Sequence, residues 1–513
     1  MPVDAMPREP LVTTPHPAAT KAGMDVLEAG GTAIEAAVAA GAVLAVVLPH
    51  FNGLGGDAVW LLADADGWHA ALMGIGQAAR HLPDDPADIS TRGPMSALTT
   101  ACLVDSWDMA LRLSASRWGG KRSFAELVEP AFRLARDGFT PSPSQRFWLD
   151  FRAGEWPSWP RFADHFAVEG RLRQPALAAV LGLLMEDGPR SFYEGRVADR
   201  LSDGFRQADI ALTKDDLRAT RAWFEAPLSQ RFGPYELLAP PAPTQGMTTL
   251  AIMSILERVG IADAEEDGAD FYHLAVEAVK QAFLHRGAIA DPRSAPGVAQ
   301  RLLSEKTLAA AAARIDRARA LPWDAPFAHG DTVYLAAHDE WGRCASLLQS
   351  TYYDWGSGVV VGDTGILWQN RAAAFDRAPG RAGSPRPGAL PFYTLNPGIA
   401  VQDGRPALLY GTQGADGQPQ TLALLLARML CGRAAPREAL AAPRFLLGST
   451  FSDPARSLRI EADVGDGVLA ALAARGHDVK ALPPLSPLCG QAGLIDLRAG
   501  VPAGQRAAHD PRA

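Results

Sequence analysis

The chain has 513 residues, 48% of them hydrophobic and 21% charged, enough apolar material for a large core. A net charge of −8 with no long Lys/Arg run argues against a nucleic-acid partner and leaves small-molecule chemistry as the expectation. Cys102, Cys344, Cys431 and Cys489 lie far apart and the histidines show no ligand spacing, so neither a disulfide framework nor a metal site is indicated.

The first residues carry prolines and acids where a signal peptide needs an apolar stretch. The longest apolar run, 36–49, falls short of the ~20 residues that span a bilayer and reads as a buried helix. A cytoplasmic protein with no membrane partner is expected. Residues 17–48 form two helices parted at Gly30-Gly31, with Thr32 capping the second. "NGLGGDAVWLL" (52–62) is a Gly-rich turn entering a strand; it lacks the spacing and the following helix of a dinucleotide fingerprint. From about 98 to 310 the chain reads as mostly helical, notably 123–137, 174–185, 246–259 and 268–286, with loops at 141–143 and at "LAPPAPTQGM" (238–247). A further helix, 307–320, leads into the Pro-broken connector "LPWDAPFAHG". Beyond it the pattern turns to strands and turns, with helices at 420–432 and near 466–475, and a tail (498–513) that reads as disordered.

The connector runs into "DTVYLAAHDEWGRCASLLQS" (331–350). Asp339-Glu340-Trp341-Gly342 has the chemistry of a type I turn with Gly in the left-handed position. With a loop of Glu340 to Gly342, Asp339 faces Arg343 and Thr332 faces Ser350, two hydroxyls across one end of a hairpin.

Several stretches together resemble the γ-glutamyltranspeptidase family: "HPAATKAGMDVLEAGGTAIEAAVAAGAVLAVVLPHFNGLGGDAVWLL" (16–62), "GDTVYLAAHDEWGRCASLLQS" (330–350), "WGSGVVVGDTGILWQN" (355–370), "LNPGIAVQDGRPALLYGTQGADGQPQT" (395–421) and "ALAAPRF" (439–445). The resemblance implies an N-terminal-nucleophile hydrolase with an α+β, four-layer αββα sandwich. It also implies self-cleavage between Asp331 and Thr332 into a large fragment, 1–331, and a small one, 332–513, which together form one αββα unit; pairing of such units is left open. Thr332 matches the nucleophile. Its freed α-amine, with a pKa of about 7.7–8.0, serves as its own base, so no cofactor is called for. Ser350 matches a second hydroxyl that supports the nucleophile. Gly414 and Ala415 match a Gly-Gly turn whose backbone N–H groups receive the oxyanion.

The match fails where relatives hold an amino-acid head group. Arg371 stands in place of an acceptor side chain, Ala374 in place of an Asp, Tyr352 in place of an Asn, Gln77 in place of an Arg, and Tyr393-Thr394 in place of Ser-Ser. A cation occupies the place where an ammonium would bind, which is costly in a desolvated pocket. Arg371 is suited either to a substrate carboxylate or to a structural salt bridge. Tyr352, Tyr393, Thr394, Asn370 and Trp368 are expected to line and narrow the substrate pocket. The expected function is hydrolysis of a small carboxylate-bearing amide, as in the oxamate-hydrolysing branch of the family. The alternatives are a γ-glutamyl hydrolase or transferase, an acylase of the cephalosporin-acylase kind, and a non-catalytic member.

Overall fold

The computed structural model describes residues 9–323, 332–432, 434–448 and 457–512. Its strands in chain order are β1 (Leu11–Thr13), β2 (Asp57–Ala63), β3 (His69–Gly74), β4 (Trp223–Glu225), β5 (Leu228–Phe232), β6 (Tyr235–Ala239), β7 (Val333–His338), β8 (Cys344–Ser350), β9 (Gly398–Gln402), β10 (Arg405–Thr412), β11 (Phe445–Gly448), β12 (Ser457–Glu461), β13 (Val479–Leu482), β14 (Ala492–Asp496) and β15 (Ala507–His509). One sheet has the order β1-β7-β8-β2-β3-β4, a second β15-β14-β10-β9-β6-β5, and a small third β11-β12-β13.

Side-chain alternation explains the layering. On β2, Ala58, Trp60 and Leu62 join a core against the helices, while Val59, Leu61 and Ala63 join a second core. That second core also takes Leu238, Ile399, Leu409 and Ile495 from the other sheet, so the two sheets are stacked face to face. On β10, Leu408 and Tyr410 turn instead to a third core with helices 246–258, 269–283 and 418–430. Two sheets therefore lie between two helical layers.

The helix Ala33–Val47 is wholly buried, as a helix apolar on all faces must be. It packs against the Pro17–Glu28 and Phe124–Asp137 helices and strand β7. It starts at Thr32, the cap expected from the sequence, and Glu35 completes a full capping box. No described helix is long and apolar enough to cross a membrane.

Three expectations are corrected. The stretch read as mostly helical contains β4, β5 and β6, short strands without a strong two-residue period. The helix expected at 307–320 spans Glu305–Ala312 only. Past it the backbone is captured by another helix: His273 Nε2 bonds the Asp316 carbonyl at 2.8 Å, Glu277 accepts from Leu321 N at 3.1 Å, and Lys280 donates to the Leu321 carbonyl at 2.6 Å. The tail is ordered over its described residues. β15 pairs with β14, Arg512 Nε bonds Glu461 at 2.9 Å, and Arg444 pairs with Asp510 at 2.6 Å, all four side chains being fully buried. Asp331 and most of the connector before it lie outside the described residues.

Arg512→Ala leaves Glu461 buried without its guanidinium. It should cost about 3–5 kcal/mol of stability, seen as a lower denaturation midpoint. Lys21→Ala, at the exposed Lys21–Asp25 pair, should leave that midpoint nearly unchanged.

Candidate active site

The hairpin has the register expected from the sequence. β7 and β8 pair from Val333–Gln349 to His338–Cys344, Asp339 N donates to the Arg343 carbonyl at 3.1 Å, and Gly342 closes the turn at φ 80°. Thr332 directly precedes β7 and is buried. The register carried one residue further sets it opposite Ser350. Which face they share follows from their neighbours. Tyr334 Oη bonds Ser346 Oγ at 3.0 Å, and Ser346 Oγ reaches the Gly398 carbonyl of the second sheet at 3.1 Å. By alternation, Thr332 and Ser350 also face the inter-sheet layer.

Two close approaches locate this end of the hairpin. A Cβ on Gly56 would lie 2.4 Å from the Ser350 carbonyl oxygen, so only glycine lets the "GLGGD" turn pass there. The next residue, Asp57, pairs with Ser350 across β2 and β8. On the other sheet, a Cβ on Gly411 would lie 2.1 Å from the Tyr334 ring, so β10 runs directly beneath β7. β10 ends at Thr412 and leads into Gly414 (φ 115°) and Ala415 (φ 44°). Both are left-handed, and for Ala415 that conformation is strained. Gln245 Nε2 holds the Ala415 carbonyl at 2.7 Å and the Thr394 carbonyl at 2.8 Å.

Beside this lies the cluster of residues expected from the sequence to hold the substrate. The Arg371 guanidinium is 0% exposed, and none of its three nitrogens has a hydrogen-bond partner among the described residues. It sits between two phenol rings, 4.0 Å from the Tyr352 centroid and 4.4 Å from the Tyr393 centroid. Tyr393 Oη donates to Asp57 Oδ2 at 2.8 Å, while Asp57 Oδ1 accepts from Gly76 N and Cys102 N at 3.0 and 2.9 Å. Tyr352 N donates to Ser350 Oγ at 2.7 Å. The contacts form a closed circuit: Ser350 to Tyr352, to Arg371, to Tyr393, to Asp57, and back to Ser350 through the strand pair.

Burial pushes the Arg371 guanidinium below its ordinary value, opposed by Tyr393, Tyr352, Asp57 and Tyr353. Burial likewise raises Asp57 to about 6, opposed first by the Arg371 charge and then by hydrogen bonds from Tyr393, Cys102 and Gln369. A buried cation with free donors beside aromatic faces is suited to a bidentate carboxylate.

Other expected residues are placed differently. Trp368 does not narrow this pocket. Its indole N–H donates to the Thr99 carbonyl at 2.9 Å, and its ring packs on Phe205 in the helix-facing core. Asn370 is committed to backbone at both ends of its amide, accepting from Tyr353 N at 3.1 Å and donating to the Thr91 carbonyl at 2.8 Å. Gln77 turns to the Asp216 carbonyl and Thr220 at 3.2 and 3.3 Å. Thr394 contributes its carbonyl to Gln245. Asp57 and Gln245 were missed. Asp57 ends "GLGGD" and Gln245 lies in "APTQG", stretches whose glycines and prolines signal only turns. Among the described residues, His273, Glu277 and His477 have metal-ligand proximity. They lie over the second sheet, where the histidines bond each other at 2.9 Å and Glu277 holds Lys280 at 2.7 Å.

Stacked sheets between helical layers, with a threonine heading a central strand, define the αββα sandwich of the N-terminal-nucleophile hydrolases. Cephalosporin acylase from Bacillus halodurans superposes with a TM-score of 0.87 at 27% identity, covering 100% of this chain and 97% of that one. Residues 19–513 match the Gamma-glutamyltranspeptidase family, and the chain belongs to it. It is 40% identical to the oxamate amidohydrolase proenzyme of Klebsiella pneumoniae, with 94% of each chain covered. It is 35% identical to the glutathione hydrolase-like YwrD proenzyme of Bacillus subtilis, again with 94% of each covered.

With Asp57 near 6, the Arg371 guanidinium gains a negative neighbour as pH rises through that value. Formate should therefore bind more tightly at pH 5 than at pH 7.5 in a calorimetric titration. Asp57→Asn should flatten that dependence.

Proposed function

We propose that the protein is a self-processing threonine amidohydrolase acting on a small amide that carries a carboxylate, oxamate or a close analogue. The observation that carries this reading is Arg371, a buried guanidinium whose nitrogens have no hydrogen-bond partner among the described residues, next to Ser350 through Tyr352. A γ-glutamyl substrate would bring an ammonium toward that cation, whereas a short anionic amide brings a carboxylate. The likeness to a proenzyme whose name gives oxamate as its substrate supports the same reading.

In this mechanism the chain is cut between Asp331 and Thr332, and the fragments 1–331 and 332–513 remain together as one unit. Before the cut, the nitrogen of Thr332 is an amide and cannot act as a base; afterwards it is an amine that titrates near working pH. Thr332 Oγ1 attacks the amide carbon and its proton passes to that amine. The N–H groups of Gly414 and Ala415 receive the developing oxyanion, and Ser350 orients the nucleophile. Collapse expels ammonia, which takes the proton from the amine, and leaves an ester on Thr332. Water then attacks the ester carbon, the amine taking its proton; the carbon–Oγ1 bond breaks, the amine returns that proton to Oγ1, and the dicarboxylate leaves. Arg371, held by the two tyrosines, grips the neighbouring carboxylate and fixes which carbonyl faces Thr332.

Intact-mass spectrometry should show two fragments for the native chain, the smaller beginning at Thr332, and one uncut chain for Thr332→Ala. A single uncut chain in both samples overturns the reading. The processed enzyme should release ammonia from oxamate. Arg371→Ala should weaken the apparent affinity for that substrate by about 2–3 kcal/mol. An unchanged KM would make Arg371 structural.

A further inference from the structure

Two parts of the proposed site come from different segments: the Gly414–Ala415 turn that receives the oxygen, and the Tyr393 face that holds Arg371. Gln245 joins them. It is fully buried, and its single amide nitrogen donates to the Ala415 carbonyl at 2.7 Å and to the Thr394 carbonyl at 2.8 Å. Its backbone N–H donates to the Tyr393 carbonyl at 2.9 Å, and Tyr393 N in turn donates to the Pro243 carbonyl at 2.9 Å. Both segments are therefore tied to one residue.

The brace is itself braced. Arg286 Nε donates to Gln245 Oε1 at 3.3 Å, which orients the amide with its nitrogen toward the two carbonyls. The same guanidinium pairs with Asp416 through both Nη atoms, Nη1 at 2.9 Å from Oδ2, one residue beyond Ala415. It also stacks over Phe392, 4.7 Å from the ring centroid and one residue before Tyr393. Arg286 thus repeats, from outside, the link that Gln245 makes from within. The turn needs such holding, because Ala415 keeps a left-handed φ of 44° that a non-glycine residue adopts only under constraint.

We infer that Gln245 is a positioning residue that sets the separation between the oxyanion turn and the carboxylate clamp, and so selects substrates by the distance between their carboxylate and their amide. This rests on the reading of the site given above. In oxamate the two carbons are bonded directly. In malonamate one methylene parts them, and in succinamate two. A rigid spacing admits one of these in reacting position; a loosened one tolerates the others.

The test compares kcat/KM for oxamate, malonamate and succinamate in the processed wild-type enzyme and in Gln245→Ala, Gln245→Asn and Arg286→Lys. All are checked for cleavage at Thr332 by mass and for folding by circular dichroism. The wild type should prefer oxamate. In Gln245→Ala the oxamate-to-malonamate ratio should fall at least about tenfold, mostly through kcat for oxamate. Gln245→Asn, which keeps the donor on a shorter arm, should fall between. If Gln245→Ala does not fold, Arg286→Lys carries the test, and its ratio should shift the same way by a smaller factor. Rates that fall in parallel for all three amides, with the ratio unchanged, reduce Gln245 to a structural role and overturn the inference while leaving the proposed function intact. A wild type that releases ammonia from none of the three overturns both.

Discussion

A guanidinium taken wholly out of water must have something to offset the lost hydration, and Arg371 meets that demand without a single hydrogen bond from the described chain. Two tyrosine faces and the Asp57 carboxylate supply the offset. The surrounding architecture follows from this arrangement. Asp57 can be buried because it accepts from two backbone N–H groups and a phenol, and Tyr393 is held where its ring and its hydroxyl serve different partners. None of the three Arg371 nitrogens has a hydrogen-bond partner among the described residues, and on the proposed reading they are left for a substrate carboxylate. The contrast within the same molecule is Arg512, equally buried, whose nitrogens are spent on Glu461, Asp510 and the Leu440 and Ala442 carbonyls.

The cluster reaches the catalytic hairpin through pleat geometry. Alternation sends the even-numbered residues of β7 and β8 into the inter-sheet layer, and Asp57 on β2 shares that face with Val59 and Leu61. A one-residue slip in the hairpin would turn Thr332 and Ser350 toward the helices. The Asp339–Gly342 turn prevents it: Asp339 accepts from the backbone of Trp341 and Arg343 and pairs with the Arg343 side chain. Functional register is thus enforced at the far end of the hairpin from the hydroxyls.

Family membership and site chemistry say different things here. The family is shared with relatives whose names include glutathione hydrolases and acylases. Where the sequence departs from the expected head-group pattern, Arg371, Tyr352 and Tyr393 form one physical unit, in which each aromatic ring faces the cation. Substrate class is therefore argued from that unit and not from the fold.

The sequence alone determined the local devices, because they rest on short-range physics. These are the cap at Thr32, the break at Gly30-Gly31, the hairpin turn with its register, and the threonine heading β7. Family motifs added the layer order and the roles expected of Thr332 and Ser350. Composition misled where charges found distant partners, as in the tail held by Arg444 and Glu461, and at Leu321, whose backbone helix 269–283 captures. Only the tertiary structure decided that Arg371 has no hydrogen-bond partner among the described residues, that Trp368 turns to the core, and that Asp57 and Gln245 join the site. Residues 57, 245, 352, 371, 393 and 415 lie on separate segments, and no periodicity or turn rule carries information across such separations. Their meeting is set by how two twisted sheets stack and by which backbone passes close enough to exclude a side chain, as at Gly56 and Gly411.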